Sequence, residues 1–397
     1  MPQLSSQDQA RCVEFLKELV RTPSLSGQEG RVASLVAQEM RDVGFDEVYT
    51  DRVGNVIGRL GTGGGPRLLF NAHMDTVGVG NPTAWRYDPY GATVDEAEGV
   101  LYGRGAVDMK GALAAMVYSA RSLREHLKAL KGELVVAAVV HEEPCEGMAM
   151  RALVEETGLR PGFVVLGEPT NLQLAVGHRG RVELRVVTEG RACHSANPEL
   201  GVNALHAAAK IIFGIELLSQ QLPEDPDLGR GSIAVTGLIC PVDNRNTVPD
   251  RCELIVDRRL TLGETRDRAL AEIRQIIERE GVKAAVSVAE FEHTTYTGYV
   301  GRGQEYYPPW LMPEDAPLVK MATKALERAL GARPRLKIWA FSTDGAYTRG
   351  VAGIPTVGFG PGDDRLAHTA DEHVRLADVL TAAAGYAEIA LEVLARR

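Results

Sequence analysis

The chain has 397 residues, more than one domain usually holds, so two domains are expected. Its 53 acidic side chains outnumber 44 basic ones, a formal net charge of −9, which excludes nucleic acid and an anionic membrane surface as main partners. Hydrophobic residues make up 45%, enough for a large core, and this excludes a disordered chain.

Apolar spacing predicts helices over Gln7–Val20 and Glu29–Val43. Short β-like runs follow at Val48–Tyr49 and Val56–Arg59, then a turn cluster at Gly61–Pro66. Arg67–Phe70 reads as a buried strand running into Asn71-Ala-His-Met-Asp75. Lys110–Leu127 is helical. Glu133–Val140 is an apolar strand ending at His141-Glu-Glu143, and Phe163–Leu166 another, ending at Gly167-Glu-Pro169. Strands alternating with helices predict an α/β fold with a mostly parallel central sheet flanked by helices.

The rhythm changes near Arg181. Arg181–Thr188 alternates like a half-exposed strand, Val202–Leu218 is helical, and Ser232–Ile239 and Cys252–Leu260 are strands. Glu264–Glu280 is helical, opened by Thr265 to Arg268, and Ala284–Ala289 is a strand. The order β-α-β-β-α-β is ferredoxin-like and predicts an inserted α+β module over residues 181–298, between two parts of a first domain at 1–180 and 299–397. In the last part Pro317–Leu330 and Val374–Ala395 read as helices, and Leu336–Trp339 and Thr356–Phe359 as strands.

The five cysteines, Cys12, Cys145, Cys193, Cys240 and Cys252, are scattered without a CxxC pair. That argues against a disulfide framework and for a reducing compartment. Met1–Arg11 is polar, with no apolar signal region, and no apolar run reaches the roughly 18–20 residues of a membrane span. A cytoplasmic location is expected.

The placement of His, Asp and Glu carries the chemistry. His73 and Asp75 follow one strand, Glu142 and Glu143 a second, Glu168 a third, and Asp108 precedes a helix. Ligand sites in open α/β sheets lie beyond the carboxyl ends of the strands. So many acids at one rim would repel each other, and buried charge must be paired or must coordinate metal. A pair of divalent cations meets that need. His73 fits a ligand with Asp75 orienting it; a capping Asp beside a core His is the plainer reading. Of Glu142 and Glu143, one could bind metal while the other serves as general base, or both could be solvated at a strand end. Asp108, inside Gly103-Arg-Gly-Ala-Val-Asp-Met-Lys-Gly111, could equally be a helix cap. His368 sits in a loop after Gly358-Phe-Gly-Pro-Gly362 and before Thr369-Ala-Asp-Glu372, where a histidine is ordinarily solvated.

Together these residues resemble the aminoacylase and carboxypeptidase superfamily of dinuclear zinc hydrolases, which includes acetylornithine deacetylase, succinyl-diaminopimelate desuccinylase and glutamate carboxypeptidase. The matching blocks are Asn71-Ala-His-Met-Asp-Thr76, Gly103–Gly111, His141-Glu-Glu143, Gly167-Glu-Pro-Thr170, Cys193-His-Ser195, Ser342-Thr-Asp-Gly345 and Ala367-His-Thr369, in the family's order over nearly the whole chain. Gly177-His-Arg-Gly-Arg181, Asp257-Arg-Arg-Leu-Thr261 and Gly358-Phe-Gly-Pro-Gly-Asp363 are similar to the selenium-metabolism-linked branch.

The resemblance implies a metal-dependent amidohydrolase with two divalent ions per chain, zinc first, cobalt or manganese also compatible. Asp108 would bridge them, His73 and Glu168 completing one shell, Glu143 and His368 the other. Glu142 would be the general base and Asp75 would orient His73. His194 would reach from the inserted domain, as a lid, to the scissile carbonyl oxygen; in relatives it often comes from the partner of a homodimer. Asn246 and Arg259 match positions that bind substrate polar groups. Arg259 suits a carboxylate, its plain alternative being strand pairing. Ala112 departs from the second glycine of many relatives. Glu168, where carboxypeptidase-like members have Asp, resembles the deacylases. The expected substrate is therefore a small N-acyl amino acid, with a dipeptidase or carboxypeptidase on small peptides, or a non-catalytic scaffold, as alternatives.

Other residues get packing roles. Cys145 and Cys193 are expected to pack rather than ligate. His141, His178, His206, His293 and His373 are expected to be structural or exposed, and Trp85 and Tyr87 to line a pocket wall or simply pack.

Overall fold

The computed structural model describes residues 4–61 and 64–395. Thr62 and Gly63 of the expected turn, and the first three residues of the polar N-terminus, lie outside them.

A nine-stranded sheet forms the centre. Its four middle strands, Glu133–Val139, Arg67–His73, Phe163–Leu166 and Thr356–Gly358, are adjacent in that order and all parallel. Every residue of Glu133–Val139 is buried, as a strand covered on both faces requires. Outside the parallel middle, Val56–Gly61 and Glu47–Thr50 continue antiparallel on one side. On the other, Leu174–His178 adds antiparallel and pairs in turn with Trp310–Leu311 and, in parallel, with Leu336–Trp339. Helix Gly111–Leu123, apolar almost all round, is buried between its neighbours; Leu376–Leu394 packs on it and on Pro317–Leu330.

The second sheet runs Ser232–Ile239, Arg251–Leu260, Gly180–Glu189, Ala284–Val288, antiparallel throughout, with Tyr306–Tyr307 added to Gly180–Glu189. Helices Ala204–Ser219 and Arg266–Glu280 connect its strands, giving the β-α-β-β-α-β order read from the sequence. Burial alternates along Arg251–Leu260, so Leu254 and Val256 face a core of their own with Val182, Leu184, Ile211 and Ile273. Thr265 caps Arg266–Glu280 by accepting the Arg268 amide, the opening expected from sequence.

Some expectations are corrected. The helix expected over Lys110–Leu127 is α-helical only over Gly111–Leu123, and Arg124–Ala129 tightens into 3-10 turns. His373–Arg375 is a short strand on Val100–Tyr102, so the last helix begins at Leu376. Cys240 and Cys252 form a disulfide, Cα atoms 4.4 Å apart, whereas Cys12, Cys145 and Cys193 are free. The hairpin register that pairs Ile239 with Glu253 brings these two cysteines opposite each other, which scattered spacing in the sequence conceals.

Candidate metal centre

The parallel strands deliver side chains to one rim. His73 ends its strand; His141–Glu143 and Glu168 lie just past theirs; His368 sits in the loop beyond Thr356–Gly358 with a left-handed backbone, φ 60°. Asp108 arrives from the segment Ala106–Lys110, where it leaves helical geometry (φ −121°, ψ 92°) and its peptide bond to Met109 is cis.

Two groups result: His73, Asp108 and Glu168, and Asp108, Glu143 and His368, each with ligand atoms within 4.8 Å of one another. Asp108 belongs to both. Its Oδ1 lies 3.0 Å from His73 Nε2 and its Oδ2 3.3 Å from His368 Nε2. Glu143 Oε2 is 2.9 Å from His368 Nε2, and Glu168 Oε1 is 3.8 Å from His73 Nε2. Glu143 Oε1 is buried without a hydrogen-bond partner. An orphaned carboxylate oxygen beside imidazole nitrogens and further carboxylates is a donor set that fits divalent zinc, cobalt or manganese.

The electrostatics agree. Burial, then the neighbouring Glu168, pushes Glu142 well above the usual carboxylate range; burial, then Asp108, does the same to Glu168. Burial would also raise Asp108, but hydrogen bonds from His368 and His73 outweigh it and hold it low. His368 is pushed up to about 10 by Asp108 and Glu143. Excess negative charge is crowded into a buried space, the situation that cations relieve.

Other buried acids hold the loops in place. Asp75 Oδ1 accepts the Glu142 amide (3.1 Å), and Oδ2 accepts the Glu143 amide (3.2 Å) and Ser26 Oγ (2.7 Å). His73 Nδ1 meets the main-chain oxygen of Asp75 at 2.9 Å; the Asp75 carboxylate is 3.7 Å from that ring. Glu29 Oε1 accepts the His141 amide at 3.2 Å. Asp344 joins Asn71 Nδ2 (2.8 Å) to the Gly147 amide (2.6 Å). Glu372 accepts amides from the Asp108 segment.

A cavity of about 350 Å³ opens over the cluster, lined by Asp108, Glu142, Glu143, Glu168 and His368 and walled by Arg181 and Arg259 from the smaller sheet. Arg259 reaches it while held by both oxygens of Asp257, at 2.8 and 3.2 Å. His194 and Asn246 are exposed neighbours 3.5 Å apart and are not among the residues lining this cavity. Nor are Trp85, which lies over Arg104 (5.1 Å), and Tyr87, which packs on Tyr102 (5.0 Å). Arg181, Glu146, Asp344 and Glu372 had no role expected from the sequence, although Arg181, Asp344 and Glu372 stand in motifs quoted above.

The sequence profile of peptidase family M20/M25/M40 matches residues 69–392. The chain belongs to that family. As an M20 member it is a metal-dependent hydrolase, and its two ligand groups suit a dinuclear centre. It is 40% identical over 389 residues, 98% of this chain and 95% of the relative, to the uncharacterized protein YgeY of Escherichia coli K12. It is 27% identical over 394 residues to a succinyl-diaminopimelate desuccinylase of Methylocella silvestris, covering 95% of this chain and 96% of that one. The fold matches the YXEP protein of Bacillus subtilis, a dinuclear metal binding peptidase of the M20 family, with TM-score 0.72 and 17% identity over 98% of this chain and 99% of that one. No helix among the described residues is long and apolar enough to cross a membrane.

Proposed function

We propose that this M20 chain hydrolyses the amide bond of a small N-acyl amino acid. The observation that carries the reading is Asp108 facing His73 with one oxygen and His368 with the other, beside a buried Glu142 that belongs to neither ligand group. His73, Asp108 and Glu168 would hold one ion, and Asp108, Glu143 and His368 the second, zinc being the first choice. Such ions bring the pKa of water toward about 7 and polarise an amide carbonyl.

Glu142 takes the proton from the attacking water and passes it to the departing amine. Arg259, braced by Asp257, receives the substrate carboxylate as a planar fork. A cavity near 350 Å³ lies at the small end of ligand sites and favours a small substrate. The desuccinylase relative supports an acyl group over a peptide. A dipeptide is the second reading, supported by Glu146, an acid on the same wall that could face a free ammonium.

His194 supplies a hydrogen bond to the scissile carbonyl oxygen, either by closure of residues 181–298 as a lid or from a partner chain. Supporting a homodimer, Phe213 and Leu217 on helix Ala204–Ser219 and Leu238 and Ile239 on the edge strand Ser232–Ile239 are exposed apolar side chains.

The test is a panel of N-acetyl and N-succinyl amino acids set against dipeptides, with the metal-loaded protein and its Glu142→Ala variant. Acyl amino acids should be cleaved fastest, and the variant should keep two metal equivalents without turnover. Dipeptide-only cleavage would move the assignment to the second reading. Metal loss in Glu142→Ala would show that Glu142 is a ligand.

A further inference from the structure

We propose that Glu372 is a positioning residue that holds Asp108 between the two ligand groups, so that both metal sites tighten or loosen together. This rests on the dinuclear reading above. The Glu372 carboxylate is fully buried. Its Oε1 accepts the amides of Val107 (2.8 Å) and Asp108 (3.1 Å). Its Oε2 accepts the Gly105 amide (3.1 Å) and Arg104 Nη1 (2.5 Å).

Four donors therefore converge on one carboxylate, three of them main-chain amides of the segment that aims Asp108. Each oxygen already has two donors, so Glu372 is not free to be a ligand. The clamp is needed because regular structure does not hold Asp108: its backbone is non-helical, and helix Gly111–Leu123 begins only after it. The main chain joins in, the Glu372 carbonyl accepting the Gly103 amide at 2.9 Å. Glu372 also follows His368 by four positions, so one short stretch delivers a candidate ligand of the second group and the clamp on the carboxylate shared by both. Arg104, itself buried, completes the clamp as an ion pair with its guanidinium over Trp85.

The test is Glu372→Gln in the full chain. It keeps the shape but turns one acceptor oxygen into an amino group facing donors. Zinc affinity of the metal-stripped protein is measured by competition with a chromophoric chelator, next to a thermal melt of the same metal-free sample. Partners of metal ligands commonly tune affinity by about 10–100-fold. Both sites should weaken by that order and in parallel, and the folded variant loaded with Co²⁺ should show an altered visible spectrum.

A Glu372 of merely structural role would lower the melting temperature and leave the affinities of the folded protein unchanged. If Glu372→Gln binds both ions within about twofold of wild type, or loses only one site against the roughly tenfold or greater parallel loss expected, the proposal is overturned. Should Glu372→Gln not fold, Arg104→Lys keeps the charge, removes the planar fork, and is read in the same way. Parallel weakening supports the clamp, and unchanged affinities overturn it. Wild-type protein that binds no zinc would sink the dinuclear reading instead, a result distinct from either.

Discussion

Asp75→Asn separates two ways in which a buried acid can serve this site. The resemblance gives Asp75 the task of orienting His73. In the structure the His73 ring is met by the Asp75 main-chain oxygen at 2.9 Å, which the substitution leaves in place. The carboxylate is occupied by the Glu142 and Glu143 amides and by Ser26. An asparagine has one acceptor oxygen. If it serves the Glu142 amide, the new amino group confronts the Glu143 amide; if it is reversed, it confronts the Glu142 amide. Either way one buried N–H loses its partner, worth about 1–3 kcal/mol. The Ser26 hydroxyl can rotate and accept, so it adds little. To the extent that only the metal-bound arrangement bears that strain, affinity falls by up to about 5- to 150-fold, since 1.4 kcal/mol is a factor of ten.

The loss should fall on the group that contains Glu143. Zinc affinity by chelator competition is therefore measured for Asp75→Asn in two backgrounds. In His73→Ala, where the Glu143 and His368 group remains, the substitution should weaken binding by the full amount. In His368→Ala, where His73 and Glu168 remain, it should change binding by less than about threefold, below 1 kcal/mol. Equal losses in the two backgrounds would refute this reasoning and return the carboxylate to the task of orienting His73.

Zinc binding near pH 7 should release protons, because His368 is held at about 10 without metal and must be neutral to bind; affinity should therefore climb with pH up to about 10. Calorimetry in two buffers of different ionisation enthalpy counts the protons, and a count of zero would contradict the geometry. His178 is fully buried and pushed down to about 3 by that burial. Its folded pKa lies below the unfolded one near 6.5, so its contribution is present above pH 6.5 and is lost as pH falls toward 3, at about 1.4 kcal/mol per pH unit. Between pH 6.5 and 5 wild type should lose about 2 kcal/mol more stability in urea melts than His178→Gln, and parallel losses would be the contrary result. Arg259→Ala should raise KM more than it lowers kcat; a pure kcat loss would deny a ground-state carboxylate contact. Phe213→Glu should shift a dimer toward monomer in light scattering, and an unchanged mass would remove this face from any interface.

What was legible in the sequence is what has a period or a chemical type. The parallel strands read as apolar runs because both their faces are covered, and their carboxyl ends located His73, Glu142, Glu143 and Glu168. The smaller sheet read as β-α-β-β-α-β from the order of its strand and helix patterns. The strands Leu174–His178 and Trp310–Leu311 went unread; the second, two residues long, is too brief to display a period. Lys110 was counted into the helix read over Lys110–Leu127. It is instead buried, its Nζ donating to the carbonyls of Leu19 and Thr22, and burial lowers it to about 7. Nothing local encodes those partners, which lie some ninety positions away. The Cys240–Cys252 bond was hidden for the same reason, since it depends on hairpin register.

The same distinction explains how one rim tolerates so many buried acids. They divide by what they face. Asp75, Asp344, Glu29 and Glu372 each accept at least one main-chain amide, which neutralises part of their charge locally, although Glu29 keeps one buried oxygen without a donor. Asp108, Glu143 and Glu168 face histidines and one another, and Glu143 keeps a buried oxygen with no donor at all. Side-chain identity in the sequence is alike for both sets, so composition predicts an acidic pocket without saying which acids are spent on the backbone. The amide partners sort them. Acids bound to main-chain amides are those whose loss should act through position, and acids that meet the histidines instead are those whose loss should remove a metal. A glutamine at Glu168 should therefore empty the His73 site while leaving the Glu143 and His368 group occupied, whereas asparagine at Asp108, the one acid common to both groups, should weaken the two together.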